Sequence, residues 1–323
     1  MTRPVVVVTR RLPEEVEADL ATDFDVRLNR DDHPFSADEL KEALRTADAL
    51  LPTVSDKLTP DVLSVEPLRA KIIANFGVGF NHIDVNAAKA RGLAISNTPD
   101  VLTDATADTA MTLLLMVARR AGEGERHVRA KAWTGWRPTH MLGTHVTGKT
   151  LGLVGMGRIA RAVARRAHHG FGMKVSFHDP YPPSPQEAAA LGAEPVESLE
   201  EVFTRSDFVS LHCPATPETR HLVNAERLKL MKKGAFLINT ARGDVVDEAA
   251  LVQALKAGII AGAGLDVFEK EPAVTEDLLT LENVVLLPHL GSATRETRIA
   301  MGMRSLENLR LYFAGKPLRD KVA

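Results

Sequence analysis

A single cysteine, few aromatic residues and no excess charge of either sign set the first limits on this chain of 323 residues. Cys213 has no partner for an intramolecular disulfide, so the small disulfide-stapled folds are excluded and a reducing compartment is the expectation. Lys and Arg number 40 against 42 Asp and Glu, a net charge of -2, which lacks the electrostatic footprint of a nucleic-acid binder. Long apolar runs are missing as well. Stretches such as Leu113 to Ala118 fall far short of the roughly 20 residues that span a bilayer, so no membrane partner is expected. Met1 to Arg10 lacks the apolar run and cleavage site of a signal peptide, and the cytoplasm is the expected location. No fixed-period repeat and no low-complexity segment occurs.

What is present is ordinary globular composition, 45% hydrophobic and 25% charged, over a length that suits about two domains at roughly 150 residues each. Short β-branched or apolar runs at Val5-Val8, Val26-Leu28, Ala49-Leu51, Lys71-Phe76 and Ala94-Ser96 read as strands. Helix-like segments such as Glu14-Leu20 and Ala37-Arg45 lie between them. Such alternation argues for parallel βαβ units. One long apolar helix from Thr103 to about Arg119 follows and reads as an interdomain connection. The segment Gly122 to Gly148 has no clear period and carries both tryptophans, Trp133 and Trp136, which suits an excursion packing on a partner subunit. A second strand series then runs through Leu151-Val154, Lys174-Phe177, Phe208-Leu211, Ala235-Asn239, Ile260-Leu265 and Val284-Leu287. Among its helices, Ser198 with Glu201 fits a capping box, and Asp247 suits the cap of Glu248-Ala257, which Gly258 stops.

The strand Leu151-Val154 runs into Gly155-Met156-Gly157-Arg158-Ile159-Ala160, and a helical pattern follows at once. Gly155 permits the tight turn, Gly157 lets backbone approach a pyrophosphate, and small Ala160 allows close packing of helix on strand. The helix N-terminus offers N–H groups to the phosphates. A glycine turn alone is weak. Here the next strand ends at Asp179, a little over 20 residues on, where a carboxylate can accept from the ribose hydroxyls and repel a 2′-phosphate. A dinucleotide site follows, with NAD(H) favoured and NADP(H) the alternative; Asp179 as a mere turn former before Pro180 is the plainer reading.

Ligands on open α/β sheets sit outside the carboxyl ends of the strands. Arg242 follows the strand ending at Asn239, Glu271 follows the one ending at Leu265, and His289 follows Leu287. Hydride exchange with a keto acid needs a cation to hold the carboxylate and polarise the carbonyl, which the planar fork of Arg242 suits. It also needs an acid for the developing alkoxide, which a histidine paired with a carboxylate supplies, here His289 with Glu271. Of the other histidines, His168 and His169 suit a helix end, and His33, His82, His127, His140, His145 and His221 a solvated role. His178 precedes the ribose carboxylate, and His212 competes from a strand end but has no obvious carboxylate partner. Cys213, directly after a buried strand, suits inert packing better than nucleophilic attack. No zinc-like spacing occurs, and no metal is expected.

Six ordered segments resemble the D-isomer-specific 2-hydroxyacid dehydrogenase family, and within it the glyoxylate/hydroxypyruvate reductase branch. They are Asn75-Phe-Gly-Val-Gly-Phe-Asn-His-Ile-Asp84, Leu151 through Ala160, His212-Cys-Pro-Ala-Thr-Pro-Glu-Thr219, Ile238-Asn-Thr-Ala-Arg-Gly243, Gly264-Leu-Asp-Val-Phe-Glu-Lys-Glu-Pro272 and Leu287-Pro-His-Leu-Gly-Ser292. The resemblance implies that Arg242 binds substrate, that Glu271 pairs with His289, and that His289 donates the proton in reduction. It implies that the N–H groups of Val78 and Gly79 hold the substrate carboxylate, with Leu51 in the loop reaching Asp56 that shapes the pocket. Toward the cofactor it points to Thr109, Gly155, Gly157, Arg158, Ile159, Asp179, Cys213, Pro214, Thr219, Thr240, Ala241, Asp266, His289 and Gly291.

The same resemblance implies a Rossmann-type cofactor domain (104–287) inserted into a discontinuous flavodoxin-like substrate domain (1–103 and 288–323). A helix at about Ser292 to Ala314 folds back onto the first part. The segment at about 122–148 is then a dimerisation arm of a homodimer, with Trp136 reaching the neighbouring subunit's site. Ala160 stands where the family pattern has a third glycine, and the arginine common near Asp179 in NADP-preferring reductases is lacking. A chain ending at Ala323 leaves no room for the regulatory extension of long phosphoglycerate dehydrogenases. The expected activity is reduction of a small 2-keto acid, glyoxylate or hydroxypyruvate, to the D-2-hydroxy acid. Alternatives are a bulkier keto acid such as phenylpyruvate, or a non-catalytic NAD-sensing corepressor-like protein.

Overall fold

Four successive valines form β1 (Val5–Val8), and all four are buried. A strand apolar on both faces belongs inside a parallel sheet covered by helices. In the computed structural model, which describes residues 2–323, the chain continues through α1 (Glu14–Asp23), β2 (Asp25–Leu28), α2 (Ala37–Thr46), β3 (Ala49–Leu51) and α3 (Pro60–Leu63). Then come β4 (Ile72–Ala74), α4 (Val85–Ala90) and β5 (Ala94–Ser96). The five strands are parallel in the order β2-β1-β3-β4-β5, the flavodoxin-like order.

The second series is α5 (Thr103–Ala118), α6 (Ala121–Arg129), β6 (Thr150–Val154), α7 (Arg158–Phe171), β7 (Lys174–His178), α8 (Pro185–Ala190), β8 (Ala193–Pro195) and α9 (Leu199–Arg205). It closes with β9 (Phe208–Leu211), α10 (Ala225–Leu230), β10 (Phe236–Asn239), α11 (Glu248–Lys256), β11 (Gly262–Leu265), α12 (Glu276–Leu279) and β12 (Val284–Leu286). Its seven parallel strands run β12-β11-β10-β9-β6-β7-β8. Apolar clusters cover both faces: one joins Leu113, Leu114 and Val163 to Leu151 and Leu153, the other joins Val202, Leu228 and Leu251 to Val209 and Leu237.

The last helix, α13 (Arg295–Phe313), belongs with the first sheet. A methyl on Gly302 would come within 2.5 Å of Val16, so α13 backbone lies directly on α1. The tail after it covers edge strand β5 through an antiparallel bridge between Ser96 and Lys321. The chain thus divides into one unit of Met1–Leu102 with Ser292–Ala323 and a second of Thr103–Gly291. The return to the first unit comes at Ser292 rather than at 288, because Asp266 accepts the N–H groups of Leu290 and Gly291 at 2.6 and 2.8 Å and so retains them in the second.

One local expectation differs from the structure, and two elements were not foreseen. Only half the box at Ser198 forms: its hydroxyl accepts from Glu201 N–H, while the Glu201 side chain pairs with Arg205. The stretch beginning at 122 contains α6, a helix with no buried residue and therefore no apolar stripe for a periodicity to reveal. Strand β8 has exposed Glu194 and Pro195, which an edge position tolerates and a pattern of alternating burial would not show. Among the described residues no helix is long and apolar enough to cross a membrane.

Candidate active site

Parallel register brings the strand ends of the second unit into one row: Val154 pairs with His178 and with Leu211, Asn239 with Leu211 and Leu265, and Leu265 with Leu286. The chain leaves β6 toward β7 on one side and returns at β9 on the other, so the switch point of the sheet lies between β6 and β9. The glycine turn sits there. Gly155 has φ +90°, and a Cβ on it would press the backbone of His212 at 3.0 Å. Gly157, the N-terminal residue before α7, meets nothing within 4 Å at that position, and α7 has no side-chain cap. Open space over Gly157 at an uncapped helix N-terminus fits a pyrophosphate. Ala160 is fully buried, as the close strand contact requires.

Asp179, just past β7, accepts the N–H of Met156 inside that turn at 2.6 Å and of Tyr181 at 2.7 Å. This carboxylate forms a turn and stands beside the glycines. Thr240 is buried at the end of β10, and its hydroxyl has no hydrogen-bond partner in the protein, a second feature that fits a bound ligand.

The catalytic candidates converge on the same edge. His289 Nδ1 and Glu271 Oε2 are 2.8 Å apart. Burial acts to raise the Glu271 pKa, but the His289 hydrogen bond and charge, the Phe268 N–H and the Arg242 charge outweigh it and hold the carboxyl below its usual range. His289 has φ +55°, a conformation rare outside glycine, and its N–H donates to Asp266 O at 2.9 Å. Asp266 is almost fully buried, and burial raises its pKa against the two N–H groups that it accepts. It therefore clamps the His289 loop, each of its oxygens accepting one N–H and keeping a further lone pair. Arg242 is half-buried, its Nη1 donating to Ala241 O at 2.7 Å. Burial lowers its pKa, and Glu271 and Asp244 oppose that shift, so it stays charged.

Gly243 explains how Arg242 and Glu271 come together. A Cβ on Gly243 would lie 1.9 Å from the Phe268 carbonyl carbon, so the loop after β11 rests on the backbone next to Arg242. That loop is also anchored by buried Glu248, which accepts Glu269 N–H at 2.7 Å and the hydroxyl of Thr275. Glu248 was not singled out in the sequence, where nothing local marks it.

The remaining expected residues fall as follows. Ile159 and exposed Arg158 open α7, and Gly291 packs against Asp266 and Thr106. Thr109 lies in α5 with its hydroxyl bonded back to Ala105 O. Thr219 uses its hydroxyl within the loop after β9, donating to Pro214 O at 2.6 Å. Cys213 follows β9, and burial pushes its thiol up to about 11, so it is a protonated packing group at neutral pH. His212 shares a hydrogen bond with Ser210 Oγ at 2.9 Å, and desolvation pulls it down to about 4, which leaves it neutral and unable to serve as the acid. His82 and His221 are not simply solvated, as their positions had suggested: His82 bonds Asn75 Oδ1 at 2.9 Å, and His221 contacts the Glu269 carboxylate.

In the first unit, Leu51 is fully buried, so its side chain serves the core and only its backbone is available. Val78 and Gly79 follow β4 in a loop whose carbonyls are tied inward: Asn97 donates to Val78 O at 2.9 Å, and Asn75 to Gly77 O and Gly79 O at 3.0 Å each. Carbonyls tied in this way are consistent with a loop that offers its N–H groups to an anion. Trp136 is 82% exposed within the chain. Among the described residues no group of three or more His, Cys, Asp or Glu could hold a metal ion.

A model of the D-isomer specific 2-hydroxyacid dehydrogenase NAD-binding domain matches residues 111–291. The chain belongs to the D-isomer-specific 2-hydroxyacid dehydrogenase family. Glyoxylate reductase of Thermococcus onnurineus is 46% identical over 318 residues, which are 97% of this chain and 94% of that protein. Glycerate dehydrogenase of Hyphomicrobium methylovorum is 40% identical over the full length of both. The solved NADPH-dependent glyoxylate/hydroxypyruvate reductase of Sinorhizobium meliloti, in complex with NADP and malonate, has a TM-score of 0.88 at 37% identity, covering 100% of this chain and 97% of that one. These relatives place this 2-hydroxyacid dehydrogenase in the glyoxylate/hydroxypyruvate reductase branch and make it an oxidoreductase that uses NAD(P).

Proposed function

We propose that this dehydrogenase reduces glyoxylate to glycolate or hydroxypyruvate to D-glycerate, with NADH preferred over NADPH. The observation that carries the reading is the 2.8 Å Glu271–His289 pair on the same sheet edge as Arg242 and the glycine turn. The nicotinamide, when bound, supplies the hydride to the carbonyl carbon. Arg242 binds the substrate carboxylate and draws charge onto the carbonyl oxygen. The family resemblance assigns the N–H groups of Val78 and Gly79 to carboxylate binding. Ionised Glu271 accepts the Nδ1 proton of His289, fixes the ring, and leaves Nε2 to deliver its proton to the alkoxide oxygen as it forms. Arg158, Ile159 and Gly157 serve the pyrophosphate, Thr240 and Ala241 the nicotinamide side, and Pro214 and Thr219 the intervening loop. The Asp179 carboxylate supports the NADH preference, since it meets a 2′-hydroxyl favourably and a 2′-phosphate with like charge.

The arm at about 122–148 supports a homodimer: Val128, Trp133, Trp136 and Leu142 are all exposed along it. The test of the activity is a panel of glyoxylate, hydroxypyruvate, pyruvate and phenylpyruvate, each with NADH and NADPH. Turnover of the first two with NADH is expected. NADH binding without turnover of any keto acid would instead indicate a sensing protein. His289→Asn is expected to lower kcat by about 100-fold or more with NADH affinity kept within threefold; an unchanged kcat would remove His289 as the acid.

A further inference from the structure

Beyond the Glu271–His289 pair the second unit holds another histidine–carboxylate couple, and none of the roles above uses it. His221, two residues after Thr219, contacts the carboxylate of Glu269, two residues before Glu271. The position is built. His221 adopts φ +49°, uncommon for a residue with a side chain, and its N–H donates to Asp244 O at 2.8 Å. Glu269 N–H is held by buried Glu248 at 2.7 Å, and the Phe268–Glu269 backbone rests on Gly243. Three loops therefore meet at Glu269: the one with Pro214 and Thr219, the one with Arg242, and the one with Glu271.

We propose that His221 and Glu269 form a positioning couple that transmits cofactor occupancy of the 214–219 loop to Glu271, and through it to His289. The couple touches no reacting atom. Its side chains are half-buried, at 36% and 22% exposure, outside the packed core, so a directional bond rather than apolar packing fixes the two loops against each other. Phe268 N–H donates to Glu271 Oε1 at 3.0 Å, so a shift at residues 268–269 is delivered directly to the catalytic carboxylate. This rests on the assignment of Glu271 and His289 made above.

The test uses His221→Ala, His221→Gln, Glu269→Gln and the double variant His221→Ala/Glu269→Gln, with His289→Asn as control. The readouts are kcat and KM for glyoxylate, NADH binding by fluorescence, and amide hydrogen exchange at residues 266–272 with and without NADH. His221→Ala and Glu269→Gln are each expected to lower kcat by about 5- to 20-fold with NADH affinity changed less than threefold. The double variant should be no worse than the weaker single one, and His221→Gln should recover most of the loss. NADH should slow exchange at Phe268 and Glu269 in the parent protein but not in His221→Ala. Turnover within twofold of the parent in both single variants, multiplicative losses, or NADH protection retained in His221→Ala would overturn the couple. If His221→Ala does not fold, Glu269→Gln decides: kcat within twofold of the parent, or NADH protection at Phe268 and Glu269 retained in it, would overturn the couple. An active His289→Asn sinks the underlying assignment; an inactive one alongside unaffected His221 and Glu269 variants sinks the couple alone.

Discussion

Gly243 is the residue on which the geometry of the site turns. Alanine there would force its Cβ to within 1.9 Å of backbone in the loop that carries Glu271, and backbone cannot rotate away as a side-chain end can. The Gly243→Ala protein is expected to bind NADH yet lose about 100-fold or more in kcat/KM, since displacements near 1 Å at a reacting centre cost that much; full activity would show that the loop is held elsewhere. A second expectation concerns His212. Its folded-state pKa of about 4 lies below the 6.5 of an exposed imidazole, so below pH 6.5 the unfolded chain binds a proton that the folded chain refuses. Its contribution to stability is therefore complete above pH 6.5 and is lost as pH falls toward 4, by about 3 kcal/mol over that window. Urea unfolding at pH 7 and pH 5 measures it, and His212→Gln should flatten the slope in this interval. Arg242, Glu271 and His289 were legible because each follows a strand in a parallel series. His221 and Glu248 were not, because their partners stand 48 and 21 residues away and nothing local marks them.

At the scale of elements, the glycine turn was readable because its chemistry is local: strand, turn and helix are contiguous. Its two glycines have different duties, and substitution separates them. Gly155 is fixed by φ +90° and by His212 backbone at 3.0 Å, so Gly155→Ala is expected to destabilise folding by about 1–3 kcal/mol. Gly157 has negative φ and open space, so Gly157→Ala should leave the melting temperature within a degree or two while weakening NADH binding by tenfold or more. Thermal melts and NADH titrations of the two variants check this. Equal losses of stability would show that the space over Gly157 serves the fold and not a ligand. The elements that periodicity missed were those whose stability is not periodic. α8 begins with a complete capping box, Ser184 and Glu187, with Pro185 at its first position, a signal present in the sequence but too short a helix to announce itself by apolar spacing. α6 and β8 lack buried stripes altogether.

At the scale of the molecule, alternating strands and helices give two α/β series but do not say which unit owns the last helix. That assignment came with the family resemblance, and α13 has its reason in Gly302, whose missing side chain lets the helix lie on Val16. The near-zero net charge acquires a narrower meaning too: selectivity for an anionic substrate falls to a few placed groups such as Arg242, and ionic strength should affect KM only mildly. Both tryptophans of the chain lie in the arm, 55% and 82% exposed, beside exposed Val128 and Leu142. Apolar surface left in water at four positions of one segment is costly unless a second copy covers it, at about 25 cal/mol per Å² buried. Size-exclusion chromatography with light scattering is expected to return the mass of two chains for the parent protein. Trp133→Ala/Trp136→Ala should shift the dissociation constant upward by at least tenfold. Because the family resemblance implies that Trp136 reaches the neighbouring subunit's site, Trp136→Ala alone should raise KM for the keto acid even at concentrations where the dimer is intact. A monomeric parent protein would refute the interface, whereas a dimer with unchanged KM in Trp136→Ala would keep the interface and remove the tryptophan from the site.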